Sequence, residues 1–540
     1  MILSGAGIVV EELVREGVDT VFGYPGGNVI DIYDELYKNS HRLTHILSAH
    51  EQGAAHAADA YARVSGKASA VIATSGPGAT NLVTGIANAY LDSVPVVFIT
   101  GNVPVPMLGS DSFQEIDILG ATLPIVKHSY VVKSVHDLQR TLCEAFRIAG
   151  SGRKGPVLVD IPKCVQLDTC QYDPDLTVAP TGVARHPADL SSLDKALRAI
   201  EKSRRPYIYC GGGVTATATG AEVMLLSKKI GAPVGFSLMG LGSVPDSYEL
   251  NLGMSGMHGR HASTAAMAEA DLIIALGARF SDRATSGLPD RAGGTVIIHI
   301  DIDAAELCKN ITADICMRGD LREILPVLIS RAKDCPNHLW TERILELKAE
   351  GNVPHSEDFT PRNIISRVND YFEDAIVTTD VGQHQMWVAQ YYKFQKPRRF
   401  ITSGGLGAMG FGLGAAIGAG IASGRRRVVL FTGDGSFGMN LTELATAATQ
   451  NLPITIILLN NGVLGMVRQM QATSFSGRYS QTTLDRKTDF PALAKAFGAV
   501  GFEASSLSAL DCALKDLPDD GPCLIDCKID QDEKVLPFGE

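Results

Sequence analysis

The chain has 540 residues, of which 45% are hydrophobic and 20% are charged, and its formal net charge at pH 7 is -11. This composition is typical of a globular protein and argues against intrinsic disorder. The length corresponds to about three or four domains. The acidic balance argues against a nucleic-acid partner and against a basic protein of the membrane surface.

Three further features favour a cytoplasmic protein without a membrane span. Residues 1–5 lack the basic and apolar regions of a signal peptide and the composition of a transit peptide. The 10 cysteines include no C-x-x-C pair, so we expect buried, reduced thiols. The uncharged stretch 404–424 is as long as a membrane span, but glycine and alanine dominate it. That composition favours a tightly packed, buried helix.

Short apolar runs alternate with helical segments from the start of the chain. The predicted strands include 70–73, 94–99 and 157–159, and the predicted helices include 7–16 and 53–65. This order predicts an α/β unit over residues 1–165. A polar segment with prolines, 166–187, is then expected to be a linker.

Two more units of the same kind follow. The second covers residues 188–332, and a second predicted linker, 335–359, separates it from the third unit, 360–540. The predicted strands are 207–209, 272–276 and 296–300 in the second unit, and 376–378, 428–431, 454–459 and 523–526 in the third. The sequence therefore predicts an α/β protein with three doubly wound parallel-sheet domains.

One pair of motifs in the third unit indicates a cofactor. The segment 433–436, Gly-Asp-Gly-Ser, follows one predicted strand, and Asn461 follows the next. Because parallel strands end at a shared edge, Asp434 and Asn461 should converge there. The glycines let the backbone approach a diphosphate, and a helix N-terminus favours its negative charge. Asp434, Asn461 and the carbonyl of Val463 are the predicted ligands of Mg²⁺, which takes further oxygens from phosphate.

Two other interpretations compete with a metal and diphosphate site. Either motif alone could be a tight turn after a strand. The segment 405–410 also matches G-x-G-x-x-G after a predicted strand, with Asp434 close to the position of a ribose-binding acid. However, Asp434 lies between glycines and is followed by an asparagine pair, which a dinucleotide site does not need. We therefore favour the diphosphate site over a nicotinamide site.

The motifs together resemble one enzyme family over nearly the whole chain. Gly-Asp-Gly followed by an asparagine pair is typical of thiamine diphosphate enzymes, and the chain resembles the catalytic subunit of acetohydroxyacid synthase (acetolactate synthase). The motifs that carry this resemblance are 24–27 (YPGG), 50–55 (HEQGAA), 74–81 (TSGPGATN), 113–115 (FQE), 381–387 (VGQHQMW) and 465–469 (GMVRQ). The resemblance implies a pyrimidine-binding domain, a central FAD-type domain and a diphosphate-binding domain. It also implies a homodimer or homotetramer and a small regulatory subunit as a partner.

The resemblance implies catalytic roles for Glu51 and Met409. Glu51 matches the acid that hydrogen-bonds N1′ of the aminopyrimidine and so helps the 4′-nitrogen to remove the C2 proton of thiamine diphosphate. A carboxyl group among glycines and alanines is poorly hydrated, which suits this task. The alternative is an acid that stabilises a helix N-terminus. Met409 matches the apolar residue that bends the cofactor, and its alternative is core packing.

The resemblance also indicates which residues contact thiamine diphosphate. They are Pro25, Gly26, Gly27, Val381, Gly382, Gln383, His384, Gly407, Met409, Gly433, Asp434, Gly435, Ser436, Asn461, Val463, Leu464, Gly465 and Met466. Decarboxylase relatives carry a side chain at the position of Gly27, and they have a His-His pair where Ala49 precedes His50. With fewer proton donors, the two-carbon unit left after loss of CO₂ can attack a second carbonyl. This favours carboligation over aldehyde release.

The second unit resembles the family's FAD-binding domain. The residues expected to contact FAD are Arg153, Gly211, Gly212, Gly213, Met239, Gly256, Met257, His258, Gly277, Arg279, Asp301 and Asp320. Glycines let the backbone approach a pyrophosphate, and acids can hold a ribose or adenine edge. The alternative is that these glycines only make turns, as in relatives that have lost the flavin. In this family FAD performs no net redox chemistry.

Three further residues match a channel for the second 2-ketoacid. Arg283 matches an arginine that meets its carboxylate, and guanidinium–carboxylate pairing is directional. The alternative is a surface arginine paired with Asp282. Gln114 and Lys163 match residues of the same channel, and the alternative for Lys163 is a solvated lysine. One departure from the family is Met470, which replaces a tryptophan.

The resemblance implies an acetolactate synthase of branched-chain amino acid biosynthesis. Such an enzyme decarboxylates pyruvate and condenses the two-carbon unit with a second 2-ketoacid, here pyruvate more than 2-ketobutyrate because of Met470. The alternatives are a thiamine- and FAD-dependent pyruvate oxidase, another 2-ketoacid carboligase or decarboxylase, and a silent paralogue that acts as a scaffold. Glu51, Asp434 and Asn461 argue against the silent paralogue. Glyoxylate carboligase is disfavoured because that family lacks the acid that Glu51 supplies.

Overall fold

Each predicted unit contains a six-stranded parallel β-sheet, which confirms the α/β class and the three doubly wound sheets. The computed structural model describes residues 1–178, 187–285, 294–351 and 356–536. Alternate strand residues enter separate hydrophobic cores, as Ile273 and Ile274 do in the second sheet, so both faces of a sheet are buried under helices. The domain boundaries 1–165, 188–332 and 360–540 stay a prediction.

The first sheet has the strand order β3-β2-β4-β5-β7-β6, and short β1 pairs with β8 antiparallel. Its strands are β1 (Ile2–Ser4), β2 (Thr20–Tyr24), β3 (Thr44–Leu47), β4 (Ser69–Ala73), β5 (Val96–Asn102), β6 (His128–Val131), β7 (Val157–Pro162) and β8 (Thr169–Gln171). Its helices are α1 (Gly5–Arg15), α2 (Ile30–Lys38), α3 (Glu51–Ser65), α4 (Pro77–Asn81), α5 (Val83–Leu91), α6 (Ile118–Thr122), α7 (Val135–Gly150) and α8 (Lys163–Leu167), with 3₁₀ turns at Val105–Met107 and Leu123–Ile125.

The second sheet has the order β11-β10-β9-β12-β13-β14, which reverses direction between β9 and β12. Its strands are β9 (Pro206–Cys210), β10 (Val234–Phe236), β11 (Asn251–Met254), β12 (Leu272–Leu276), β13 (Val296–Asp301) and β14 (Ile315–Arg318). Its helices are α9 (Leu193–Lys202), α10 (Gly212–Thr217), α11 (Gly220–Ile230), α12 (His261–Glu269), α13 (Asp282–Thr285), α14 (Leu321–Arg331) and α15 (His338–Glu350), with a 3₁₀ turn at Leu238–Gly240.

The third sheet has the order β16-β15-β17-β18-β20-β19. Its strands are β15 (Ile376–Thr379), β16 (Phe400–Ile401), β17 (Val428–Gly433), β18 (Ile454–Asn460), β19 (Val500–Ala504) and β20 (Cys523–Lys528). Its helices are α16 (Pro361–Tyr371), α17 (Gln383–Tyr391), α18 (Phe411–Ala422), α19 (Asp434–Asn440), α20 (Glu443–Thr449), α21 (Gly465–Ser474), α22 (Phe490–Ala496) and α23 (Leu507–Lys515). Counted along the chain, the first and third sheets order their strands identically.

Helices α3 and α18 pack against each other between the first and third sheets and belong to one hydrophobic core with both. Small residues form the contact and let the two backbones approach closely. A Cβ atom on Gly418 would lie 1.9 Å from the carbonyl oxygen of Ala57, and one on Gly414 would lie 2.8 Å from that of Gly53. The stretch 404–424 therefore contains a buried helix, as its composition predicts. In the part of the chain that the structure describes, no helix is long and apolar enough to cross a membrane.

Two sequence expectations need correction. The segments expected to be linkers contain β8, which pairs with β1, and α15, which packs on α12. All ten cysteines are thiols, but only Cys210, Cys523 and Cys527 are fully buried. Five others are half-buried, and the expectation of burial is wrong for Cys308 and Cys512, which are exposed. Cys512 lies off the apolar face of α23, whose spacing of Leu507, Leu510 and Leu514 would have indicated its exposure, whereas Cys308 lies in a loop without periodicity.

The contact between α3 and α18 generates a stability prediction. Gly418→Ala should lower the free energy of unfolding by about 1–3 kcal/mol, because its Cβ atom must displace the backbone of Ala57. Gly420→Ala is the matched control on the same helix, where a Cβ atom would meet Leu452 at an ordinary 3.6 Å. The control should be neutral or stabilising by up to about 1 kcal/mol, since alanine favours helix. Denaturant unfolding of both variants measures the difference, and equal effects would contradict the tight contact.

Candidate functional site

A pocket lies at the edge where the strands of the third sheet end. β17 ends at Gly433, which lies beside Leu459 of β18 in the parallel register. The pocket is lined by Gly382, Gln383, His384, Trp387, Met409, Gly433, Asp434, Gly435, Ser436, Leu459, Asn461, Val463, Leu464, Gly465, Met466 and Val467. Val381 precedes the lining residue Gly382 and lies beside Gly407, because a Cβ atom on Gly407 would lie 3.9 Å from Val381 Cγ1. The fold thus gathers the third-unit residues that the sequence singles out.

Asp434 and Asn461 both line this pocket. Asp434 is the first residue of α19 and is buried, and burial raises the pKa of its carboxyl group to about 6. The side-chain oxygen of Asn461 accepts a hydrogen bond from the backbone N–H of Val463 at 3.2 Å. Among the described residues, no group of three or more His, Cys, Asp or Glu side chains could hold a metal ion. A Mg²⁺ ion at Asp434 and Asn461 would take its remaining oxygens from other sources, such as phosphate or water.

The wall of the pocket fits a diphosphate group. A Cβ atom on Gly465 would lie 1.9 Å from Gln383 Oε1, and one on Gly435 would lie 2.7 Å from Leu464, so a side chain at either position would have to displace a neighbouring side chain. His384 is buried, burial lowers its pKa to about 3, and its Nε2 atom has no hydrogen-bond partner. An unsatisfied buried polar atom is costly unless a ligand pairs with it, and a neutral imidazole can donate to a phosphate oxygen.

Met409 reaches the pocket from the loop before α18. A Cβ atom on Gly435 would lie 3.9 Å from its Cε. The next residue, Gly410, has a φ of +88° and donates its N–H to Asp380 Oδ1 at 2.7 Å. Burial raises the pKa of Asp380 to about 6. Sequence reasoning missed Asp380, although its place directly after β15, at the same sheet edge as Asp434, was a usable signal.

Glu51 is the first residue of α3 and is buried. Its Oε2 atom accepts a hydrogen bond from Asn81 Nδ2 at 2.9 Å, and a Cβ atom on Gly78 would lie 3.3 Å from its Oε1. Residues 74–81, which include both neighbours, carry one of the motifs of the resemblance. The pocket of the third unit is lined only by residues between Gly382 and Val467, so Glu51 does not line the pocket of its own chain.

The turn after β2 carries Pro25, Gly26 and Gly27. A Cβ atom on Gly26 would lie 2.5 Å from the side chain of Thr74, whereas nothing lies within 4 Å of such an atom on Gly27. Lys163 Nζ donates a hydrogen bond to the carbonyl oxygen of Gly27 at 2.9 Å. The lysine therefore has a backbone partner at Gly27, and it is not purely solvated.

Gln114 lies near the same motif, residues 74–81. Its φ is +60°, and a Cβ atom on Gly76, whose φ is +58°, would lie 2.9 Å from the Gln114 carbonyl oxygen. Asn28 Nδ2 donates to Ser75 Oγ at 2.6 Å, which ties the turn after β2 to this segment as well. Glu51, Gln114 and Lys163 therefore belong to one edge of the first unit, through shared neighbours.

The predicted flavin glycines lie where the second sheet reverses its strand order. A Cβ atom on Gly211 would lie 2.0 Å from the Gly277 carbonyl oxygen, and one on Gly213 would lie 2.7 Å from Gly277 Cα. The N–H of Gly213 already donates to that carbonyl at 3.1 Å. These glycines therefore allow two backbones to touch, which accounts for part of the motif without a ligand. A Cβ atom on Gly212 would lie 3.2 Å from Met239 Cβ.

Two of the predicted flavin arginines join the first and second units. Arg153 Nη1 forms ion pairs with Asp303 at 3.3 Å and Glu306 at 2.6 Å. Arg279 Nη1 donates to the carbonyl oxygen of Leu91 at 2.6 Å. Both guanidinium groups therefore already have protein partners at this junction.

The two predicted acids of the second unit have partners too. Burial raises the pKa of Asp301 to about 6, and its Oδ1 atom accepts the N–H of Asp303 at 2.8 Å. Asp320 caps the N-terminus of α14 by accepting the N–H of Arg322 at 2.9 Å, and it pairs with the Arg322 guanidinium at 2.5 Å. Each acid lies at a strand end on the ligand-binding edge expected of such a sheet.

Arg283 is exposed and lies beside the predicted flavin loop. Its Nε atom is 3.5 Å from Asp282, which is the alternative pairing, and its Nη1 atom is 3.2 Å from Met257 Sδ. A Cβ atom on Gly256, whose φ is +102°, would lie 2.4 Å from the Arg283 carbonyl oxygen. Burial lowers the pKa of His258, the next residue of that loop. The structure does not bring Arg283 to the pocket of the third unit.

The sequence carried no signal for Glu443. Its carboxylate accepts hydrogen bonds from the backbone N–H groups of Ala49 and His50, which precede Glu51. The contact with His50 joins residues 393 positions apart, so no local pattern could have predicted it.

Known protein families match all three units. Residues 3–121 match the N-terminal TPP binding domain of thiamine pyrophosphate enzymes, residues 193–328 match their central domain, and residues 380–527 match their C-terminal TPP binding domain. The matched ranges follow the three sheets in order.

Curated relatives match the chain from end to end. The acetolactate synthase isozyme 2 large subunit of Escherichia coli (strain K12) is 45% identical over 541 residues, covering 99% of this chain and 97% of the relative. The acetolactate synthase of Arthrospira platensis is 42% identical, with 99% and 96% covered. The acetolactate synthase large subunit of Lactococcus lactis subsp. lactis (strain IL1403) is 42% identical, with 99% and 94% covered. Identity at this level along the whole chain, together with the domain matches, means that the chain belongs to the acetolactate synthase large-subunit family of thiamine pyrophosphate enzymes.

Proposed function

We propose that this chain is a thiamine diphosphate-dependent acetolactate synthase of branched-chain amino acid biosynthesis. It decarboxylates pyruvate and condenses the two-carbon unit with a second 2-ketoacid, mainly pyruvate and less readily 2-ketobutyrate. The observation that carries the proposal is the pocket lined by Asp434 and Asn461, in a chain that matches acetolactate synthases over 99% of its length. A cytoplasmic location is part of the proposal and suits a chain whose ten cysteines are thiols.

The pocket of the third unit would hold the diphosphate of the cofactor. Asp434, Asn461 and the carbonyl of Val463 would bind Mg²⁺, and the divalent ion would offset the repulsion between the Asp434 carboxylate and the phosphates. His384, through its unpaired Nε2, would donate to a phosphate oxygen. When bound, thiamine diphosphate supplies a carbanion at C2 that accepts the two-carbon unit of the ketoacid. Met409 would contact the cofactor from its apolar side.

We infer that the working site needs two chains. The chemistry requires the Glu51 carboxylate at the aminopyrimidine, but the pocket of one chain is lined only by residues between Gly382 and Val467. A second copy of the chain would supply its first unit, which makes a homodimer the smallest active assembly, and a homotetramer would be two such pairs. Two of the three relatives are named large subunits, and on that ground we include a small regulatory subunit among the partners.

In the proposed reaction, Glu51 holds and shares a proton with the cofactor ring. Asn81 donates to its Oε2 atom and so fixes the carboxylate orientation. Gly27 contributes no side chain, so no acid stands there to protonate the two-carbon unit before a second ketoacid arrives. Lys163, which contacts the Gly27 carbonyl, and Gln114 would line the path of that second ketoacid, and Arg283 would meet its carboxylate.

FAD is the second cofactor of the proposal, without a net redox role. The crevice between β9 and β12 lies at the strand-order reversal, the usual place for a dinucleotide in such a sheet. Gly212 and Met239 would border the pyrophosphate, and Asp301 and Asp320 lie at strand ends on the same edge. The other predicted contacts, Arg153 and Arg279, lie at the junction with the first unit.

Product analysis tests this function against a pyruvate oxidase. With Mg²⁺, thiamine diphosphate and pyruvate, the protein should form acetolactate and release CO₂, with and without oxygen. Removal of FAD should lower activity, and its return should restore activity without stoichiometric flavin reduction. Peroxide formed in proportion to CO₂ would contradict the proposal, and full activity of flavin-stripped protein would contradict the FAD part alone.

A second prediction concerns the choice of acceptor. Met470 lies on α21 with an exposed fraction of 54%, where the family has a tryptophan. One methylene contributes about 10–200-fold in an apolar pocket, and a rigid indole holds it more firmly than a flexible thioether. Met470→Trp should therefore raise the preference for 2-ketobutyrate over pyruvate by about 10-fold.

Competition between the two ketoacids measures this preference. Leu225→Trp is the matched control, because Leu225 is similarly exposed, at 58%, on α11 of the second unit. The control should leave the product ratio unchanged. A strong preference in the natural protein that Met470→Trp does not increase would mean that another residue shapes the acceptor pocket.

A further inference from the structure

The start of helix α3 is held by a carboxylate from the third unit. Glu443 Oε1 accepts the N–H of His50 at 3.0 Å and that of Ala49 at 3.1 Å, and Oε2 lies 3.2 Å from the same Ala49 N–H. Thr446 Oγ1 also donates to Oε2 at 2.8 Å. Helix α3 begins at the next residue, Glu51. The two backbone groups immediately before Glu51 therefore depend on a side chain from a distant part of the chain.

This contact is enclosed. The exposed fraction of Glu443 is 1%, and burial raises the pKa of its carboxyl group while the hydrogen bonds oppose that rise. A Cβ atom on Gly53 would lie 2.0 Å from Glu443 Oε1 and 2.4 Å from Cδ. The absence of a side chain at Gly53 thus makes the room that the carboxylate occupies.

The Glu443 contact acts on the backbone of the two residues before Glu51, while a separate contact acts on the Glu51 side chain. Asn81 orients the Glu51 carboxylate, as described above. His50 Nδ1 accepts the N–H of Gln52 and caps the helix, which leaves the N–H groups of Ala49 and His50 to Glu443. A negative charge is favourable at a helix N-terminus, and hydrogen bonds to a charged acceptor are strong. Together these groups fix the position and direction of the first residue of α3.

We propose that Glu443 is a positioning residue for Glu51. This inference rests on the proposed function, in which Glu51 exchanges a proton with the cofactor ring. Glu443 does not touch the reacting atoms. It holds the helix start so that the Glu51 carboxylate arrives at a fixed place, and small misplacements of such a group cost rate on the order of 10- to 100-fold.

Two variants remove the contact by different routes. Glu443→Gln removes the charge and one acceptor atom, and Gly53→Ala displaces the carboxylate through its Cβ atom. Each should lower kcat on the order of 10-fold or more, with the KM for pyruvate and the Kd for thiamine diphosphate changed by less than about 2-fold. Glu12→Gln is the control. Glu12 is a buried acid of the first unit, which also contains Glu51, and it pairs with Arg15 on α1, away from α3. It should change stability without changing kcat.

Backbone hydrogen exchange provides a readout that is independent of catalysis. In the protein without added cofactor, the amides of Ala49 and His50 should exchange about 10-fold faster in Glu443→Gln than in the natural chain, because their acceptor is weakened. The Glu12→Gln control should leave them unchanged. Unchanged exchange at both amides would overturn the proposal, even if the product is acetolactate. Faster exchange with a different product would refute the proposed function but keep the contact.

A double variant separates positioning from general damage. Glu443→Ala removes the carboxylate with which a Cβ atom at residue 53 would clash. Gly53→Ala should therefore lower kcat little further in the Glu443→Ala background, although it lowers kcat in the natural chain. Additive losses would mean that Gly53 acts by another route. If Glu443→Gln does not fold, Glu443→Asp, which retracts the carboxylate but keeps its charge, takes its place in both measurements. An Asp variant with natural kcat and natural exchange would overturn the proposal.

Discussion

The close contact between helices α3 and α18 is the constraint on which the arrangement of the site depends. Their backbones approach because Gly414 and Gly418 carry no side chain against the carbonyl oxygens of Gly53 and Ala57. Larger residues would separate the first and third sheets, which share one hydrophobic core around these helices. Both helices begin at functional residues, since α3 starts at Glu51 and α18 follows the Met409 loop. The packing of these two helices thus sets where Glu51 of the first unit lies relative to the third unit of the same chain.

The first and third sheets order their strands identically. Helices α3 and α18 also occupy equivalent places in the chain, since α3 connects β3 to β4 and α18 connects β16 to β17. The two units are therefore structural counterparts with different tasks. One carries an acid at a helix start, and the other carries a pocket with Asp434 at a helix start. Pairing two chains through such counterparts would give each pocket an acid from the partner subunit. Within one chain, Glu443 links the two tasks because it extends from α20 to the start of α3.

Local pattern accounts for much of this structure. Apolar runs predicted ten of the strands, and the 433–436 segment with Asn461 predicted the pocket, because parallel strands must end at one edge. The contact of Glu443 with His50 and the pairing of β1 with β8 could not be predicted, because each joins segments far apart in sequence. The exposure of Cys308 depends on a loop without periodicity. Gly211 and Gly213 must be glycine because they contact the backbone of Gly277. Their presence in the sequence therefore does not distinguish a flavin-binding domain from one without a flavin.

The central claim is that Glu51 and Asp434 of one chain serve different sites, and mixing two inactive variants tests it most directly. Glu51→Gln and Asp434→Ala chains should each be inactive alone. If each site combines Glu51 of one chain with Asp434 of the other, a mixed dimer contains one intact site. Equal mixing after dissociation should then restore about a quarter of the natural activity. If the mixture contains hybrid dimers but stays inactive, each site lies within a single chain and the account is contradicted.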